Sequence, residues 1–162
     1  MTTIAKHLTT LVLTAAFVLH ASAQKKDTSF QTHGYTFPYT TMDQLMRYCD
    51  MDSTSFDSTL RSLDFSIEEN IYTKGSLDKS KMVFGKSRDF GTSIVWISSD
   101  TTVSIVDKLL QKFAPPTNVS LSEGFSFMYK KYVITVKSSQ TGLRYEEINI
   151  IDKANYNKNT DN

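Results

Sequence analysis

Residues 93–98 read Ser-Ile-Val-Trp-Ile-Ser, four consecutive apolar side chains between serines. The run is short and β-branched, with Gly91 before it and Asp100 after it, so it predicts a strand. Because both parities are apolar, it predicts a strand that lies centrally in its sheet with both faces covered. One face is expected to meet a helix through Val106, Leu110 and Phe113. The other is left for a helical hairpin or an aromatic segment, with partial cover and Trp96 half exposed.

Upstream of this strand, Lys81-Met82-Val83-Phe84 reads as its hairpin neighbour, ended by Gly85 and joined through the turn Arg88-Asp89-Phe90-Gly91. Before that, Phe65, Ile67 and Ile71 alternate with Ser66, Glu68 and Asn70 as one strand, and residues 75–80 form a turn. Two helices are expected earlier still. Thr40-Thr41-Met42-Asp43 resembles a capping box, followed by an apolar stripe of Met42, Leu45, Met46 and Cys49. After Asp50-Met51-Asp52, Ser53 or Thr54 caps a second helix with Phe56, Leu60 and Leu63 on one side, completing an αα-hairpin.

Downstream, Asp100-Thr101-Thr102 reads as the cap of a third helix carrying Val103, Val106, Leu109, Leu110 and Phe113, stopped by Pro115-Pro116. Phe125 to Ser138 changes apolar phase at Lys130-Lys131, which predicts a β-bulge or two strands with a bend. Gln140-Thr141-Gly142 turns the chain into a last strand, Leu143 to Ile151. The resulting fold class is α+β in the order α-α-β-β-β-α-β-β. An antiparallel sheet with helices packed mainly on one face follows from the short turns.

The organisation outside this domain, residues 40–153, is read from composition. Residues 1–23 have the form of a secretory signal: Lys6, the apolar run Leu8 to Leu19, and the small residues Ala21 and Ala23 before a cut. The run is short for a membrane span. The expectation is therefore an exported chain, periplasmic or secreted in a bacterium, with no transmembrane span after cleavage. Residues 24–39 read as a linker that turns aromatic at Phe30, Tyr35, Phe37 and Tyr39. Residues 154–162 are polar and expected to be disordered.

Of 162 residues, 40% are apolar and 22% charged, with 18 Lys and Arg against 17 Asp and Glu. That near-balance gives no reason to expect nucleic acid as a partner. One Cys forms no intramolecular disulfide, and with three His it gives no zinc motif. No cofactor or metal is expected.

The helical hairpin of Met42, Leu45, Met46, Phe56, Asp57 and Leu60, followed by a Ser/Thr/Lys/Asn-rich sheet, resembles small exported proteins of Bacteroidota-type Gram-negative bacteria. That group carries no assigned activity. A helical hairpin leading into a sheet is also similar to β-lactamase-inhibitor-protein-like modules of the cell envelope, from which the interrupting third helix departs.

The reactive side chains are few. Cys49 sits at the C-terminal end of an apolar helix face, where the helix dipole opposes a thiolate, so it reads as a core residue. His33 stands alone, and no G-x-S-x-G elbow accompanies it. Adjacent acids Glu68-Glu69 and Glu146-Glu147 point to opposite faces of a strand. Lys130, Lys131 and Lys137 read as guards of a sheet edge or as part of a basic aromatic strip with Tyr129 and Tyr132. Tyr35, Phe37, Tyr39 and Trp96 are candidates for an exposed aromatic patch. Together these predict a non-catalytic exported module that binds a protein partner or an envelope component. Candidate binding residues are Tyr35, Phe37, Tyr39, Trp96, Lys130 and Lys131. The alternatives are a small carboxylate-based hydrolase, requiring two acids converging with one pKa raised, and a carrier of a small apolar ligand, requiring a closed apolar cavity.

Overall fold

A computed structural model describes residues 29–111 and 120–160. The fold is α+β. Helices α1 (Met42–Asp50), α2 (Ser53–Ser62), α3 (Ile105–Leu110) and α4 (Lys153–Thr160) accompany an antiparallel sheet. Among the described residues that sheet has seven strands in the order β3-β4-β5-β6-β9-β8-β7. They are β3 (Ser66–Glu68), β4 (Ile71–Gly75), β5 (Ser80–Ser87), β6 (Gly91–Ser98), β7 (Phe125–Tyr129), β8 (Tyr132–Thr141) and β9 (Leu143–Asp152). A separate two-stranded hairpin, β1 (Ser29–Thr32) and β2 (Tyr35–Pro38), precedes α1. Among the described residues no helix is long and apolar enough to cross a membrane.

The Ser93–Ser98 run is central, fourth of seven strands, but it alternates where two-sided cover was expected. Thr92, Ile94, Trp96 and Ser98 are fully buried, while Ser93, Val95 and Ile97 are half-exposed. Trp96 is therefore a core residue, not the half-exposed one anticipated. Phe30 and Phe37 close over its indole at 5.3 and 4.9 Å between ring centroids, and its Nε1–H donates to the Val103 carbonyl at 3.4 Å. On the same sheet face, Tyr48 of α1 meets Phe84 at 5.4 Å and Phe56 of α2 meets Tyr72 at 5.2 Å. The β-branched positions Val95 and Ile97 belong to the opposite face.

Several boundaries differ from the sequence reading, each for a local reason. The stretch read as a linker holds the β1–β2 hairpin. Its turn residues His33 and Gly34 adopt positive φ (51° and 81°), which a tight hairpin needs. The single strand read from Phe65 to Ile71 is two strands, because Glu69 and Asn70 both turn left-handed at φ 48° and 66°. Of the two alternatives at Lys130-Lys131, the chain forms two strands: Tyr129 pairs directly with Tyr132, with Lys130 at φ 54°. The first helix is capped one residue later than expected, by Thr41, whose partner in the capping box is Gln44. Asp52 caps α2 and Ser104 caps α3, in place of Ser53 or Thr54 and of the Asp100–Thr102 stretch. The tail read as disordered is helical from Lys153 to Thr160. Phe113, Pro115-Pro116 and the proposed signal at residues 1–23 lie outside the described residues.

Two glycines are obligatory where the sheet turns. At Gly91 (φ 77°) a Cβ would sit 2.0 Å from the Ile150 carbonyl oxygen. At Gly75 (φ 90°) it would sit 2.0 Å from the Ser80 carbonyl oxygen.

Candidate functional site

Helix α1 presents two stripes. Leu45 and Tyr48, with Met42, point into the core. Asp43, Met46, Arg47 and Asp50 recur at i, i+3, i+4 and i+7, which places them on a second face of the same helix. That second stripe forms one wall of a surface groove of about 730 Å³. Lys130, Lys131 and Tyr132, from the β7–β8 turn and the start of β8, form the other wall, with Met51 at the end.

A polar cluster ties the two walls together. Tyr132 is buried, and its hydroxyl donates to Asp50 Oδ2 at 2.6 Å. The Lys131 ammonium donates to Asp50 Oδ1 at 3.1 Å and pairs with Asp152 Oδ2 at 3.2 Å, lying 5.0 Å from the Tyr132 ring centroid. The bond from the Tyr132 hydroxyl, reinforced by Lys131, holds the Asp50 carboxyl below the usual carboxylate range. Burial, with the neighbouring Asp50 carboxylate, pushes the Tyr132 hydroxyl up to about 12. Bonds to Asp50 and Asp152 push the Lys131 ammonium upward.

Behind this groove lies a crevice of about 620 Å³ at the junction of α1, α2, the β5–β6 turn and α4. Lys86 seals its floor by donating to the last carbonyls of α1, Tyr48 O at 2.6 Å and Cys49 O at 2.9 Å. Burial lowers the Lys86 pKa. Cys49 is half-buried and burial raises its thiol pKa, so it is held as a thiol and not as a nucleophile.

The six residues anticipated from the sequence fall into two places. Phe37 and Trp96 are fully buried in the aromatic cluster beneath the β1–β2 hairpin, and Tyr35 and Tyr39 are half-buried at its margin. Tyr39 is covered by the Lys108 ammonium at 4.7 Å. These aromatics form a packed roof to the core, not an exposed patch. Lys130 and Lys131 do line the groove, but they occupy a turn, so they do not guard the length of an edge strand. Missed were Met46, Arg47 and Asp50, whereas the sequence reading places Tyr132 with Lys130 and Lys131 in the basic aromatic strip. The signal for the first three was present as the second stripe of α1, which the apolar pattern Met42-Leu45-Met46-Cys49 obscured.

His33 is drawn into a hydroxyl network: its Nδ1 lies 3.1 Å from Thr32 Oγ1 and 3.0 Å from Ser80 Oγ. Thr32 Oγ1 donates to Asp100 Oδ2 at 3.0 Å, so its contact with the ring is one in which Nδ1–H donates. This network fastens the β1–β2 turn to the start of β5. Asp100 reaches the imidazole only through Thr32, unlike the acid of a Ser-His-Asp triad. Among the described residues no group of three or more His, Cys, Asp or Glu is placed to hold a metal ion.

No family model matches the chain, and neither a curated protein nor a solved structure is found to match it.

Proposed function

We propose that the chain is a non-catalytic exported module whose groove between α1 and the β7–β8 turn binds a protein partner. The observation that supports this reading is the composition of the groove. Met46 and Met51 offer flexible, polarisable apolar surface, the Tyr132 ring and lysine stems extend it, and Arg47 and Lys130 stand exposed at the rim. Thioether-rich grooves with a charged rim suit peptide and protein surfaces better than small metabolites. Export rests on the sequence of residues 1–23, and so does a periplasmic or secreted location. With the helices packed mainly on one face of the sheet, one wall of the groove is carried on α1 and the other on the β7–β8 turn and the start of β8.

The alternatives find less support. Asp50 and Asp152 do converge, on Lys131, but the Asp50 carboxyl is held below its usual range, opposite to what a general acid requires. The groove is lined by exposed charged residues, unlike the closed apolar cavity of a ligand carrier.

The test is affinity capture from the cell envelope with the chain and two variants. Met46→Glu places a charge in the groove, whereas Leu77→Glu changes an exposed side chain at the far end of the sheet. Capture is expected to be lost with Met46→Glu and kept with Leu77→Glu. Equal capture by both variants would remove the groove from consideration.

A further inference from the structure

The two edges of the seven-stranded sheet differ in a way that bears on the groove. β3 is a three-residue edge carrying Glu68. β7 is longer, reads Phe-Ser-Phe-Met-Tyr, and has neither a charge nor a proline within it. Charges, prolines and brevity are the usual protections of an edge strand against pairing with another chain. Among the described residues β7 pairs only with β8.

The ladder fixes which backbone groups β7 offers. Tyr129 and Tyr132 flank a two-residue turn, which makes them a hydrogen-bonded pair. Pairs then alternate, so Phe127 and Phe125 also direct N–H and C=O toward β8. Ser126 and Met128 direct theirs away from the sheet. Both are exposed, Met128 by 50%. On the helix side of the strand, Phe125 and Phe127 stack at 5.5 Å and remain half-buried, and Tyr129 continues the row toward the groove. A strand laid against β7 would gain backbone hydrogen bonds from Ser126 and Met128. Its alternate side chains would extend the aromatic row and enter the groove at Met46.

The charge of that strand follows from the rim. Asp50 and Asp152 are engaged by Tyr132 and Lys131, while Arg47 and Lys130 stand exposed beside Asp43, the Lys130 ammonium lying 5.4 Å from the Tyr129 ring centroid and still open to solvent. We propose that the occupant is an extended, acidic segment of a partner protein, added as a further strand against β7. This inference rests on the reading of the groove as the binding site and names the form of what binds there.

The test uses short peptides of alternating valine and aspartate, valine and lysine, or valine and serine, with affinity read by fluorescence anisotropy. The aspartate peptide is expected to bind at least about tenfold more tightly than the lysine peptide. Its binding should slow amide exchange at Ser126 and Met128. Met128→Pro removes an outward N–H without touching the β8 ladder, so it should abolish binding while thermal unfolding stays close to that of the parent. Should that variant fail to fold, Arg47→Glu with Lys130→Glu supplies the independent arm, and it should reverse the preference between aspartate and lysine peptides. Binding without protection at Ser126 and Met128 would overturn strand addition. So would self-association of the chain that Met128→Pro abolishes, which would make the occupant a second copy. If no peptide binds while Met46-dependent capture persists, strand addition fails and the groove reading stands.

Discussion

Glu146 is the one buried carboxylate among the described residues. Fully buried on β9, it accepts from the backbone N–H groups of Ile105 and Val106 at 2.7 and 3.1 Å, from Ser138 Oγ at 3.2 Å and from Arg144 Nη1 at 2.9 Å, and also from Ser104 Oγ. An anion at this place satisfies the open N-terminus of α3, and Arg144 compensates its charge while donating to the Thr101 carbonyl. Glu146→Ala strands the guanidinium and the helix donors, and should cost about 3–5 kcal/mol in urea unfolding. Its neighbour Glu147 lies on the opposite face, bonded by Tyr145 and Asn149. That opposition was legible from strand parity, but the partners of Glu146 at the start of α3 were not, because they lie about forty residues away in sequence. At Asp50 the depressed carboxyl contributes stability that is fully present above its ordinary pKa near 4 and lost as pH falls through the lower folded value. Tyr132→Phe removes the main cause. It should cost about 1 kcal/mol near neutral pH, and the variant's deficit should shrink below pH of about 4, read by thermal unfolding across pH.

At the scale of elements, the β1–β2 hairpin does what the sequence reserved for an exposed patch or a second cover. Phe30 and Phe37 seal Trp96, and the His33 network pins the turn to Ser80. Phe37→Ala should cost about 3–5 kcal/mol, as for other buried aromatics, and red-shift the single tryptophan's emission. In the parent, that emission should be blue and insensitive to iodide. The hairpin escaped the sequence reading because its strands are four residues each, too short to show a period, and its Gly34 and Pro38 read as breakers. The helix Lys153–Thr160 escaped because it has no apolar stripe. By contrast, α1, α2 and the β5–β6 hairpin were legible, since each couples a clear period to a cap or turn residue.

At the scale of the molecule, the central strands of the sheet have one buried face and one half-exposed face, and the β7 end carries the groove. The distinction is measurable: Val95→Thr should change stability by less than about 0.5 kcal/mol, whereas Ile94→Ala should cost about 2–5 kcal/mol. The continuous apolar run Ile94 to Ile97 concealed this asymmetry, because Val95 and Ile97 favour a strand by their branching as well as by burial. Of the candidate site, the wall of Lys130, Lys131 and Tyr132 was legible, as a basic aromatic strip. Its opposite wall depends on the packing of α1, which turns Met46 out of the core row it shares in sequence with Met42 and Leu45. The most direct measurement of the central claim is photocrosslinking in the native envelope, with a benzophenone side chain placed at position 46 in the groove or at position 95 on the open face. The account predicts a partner crosslinked from position 46 and none from position 95. A partner crosslinked from position 95 alone would contradict it.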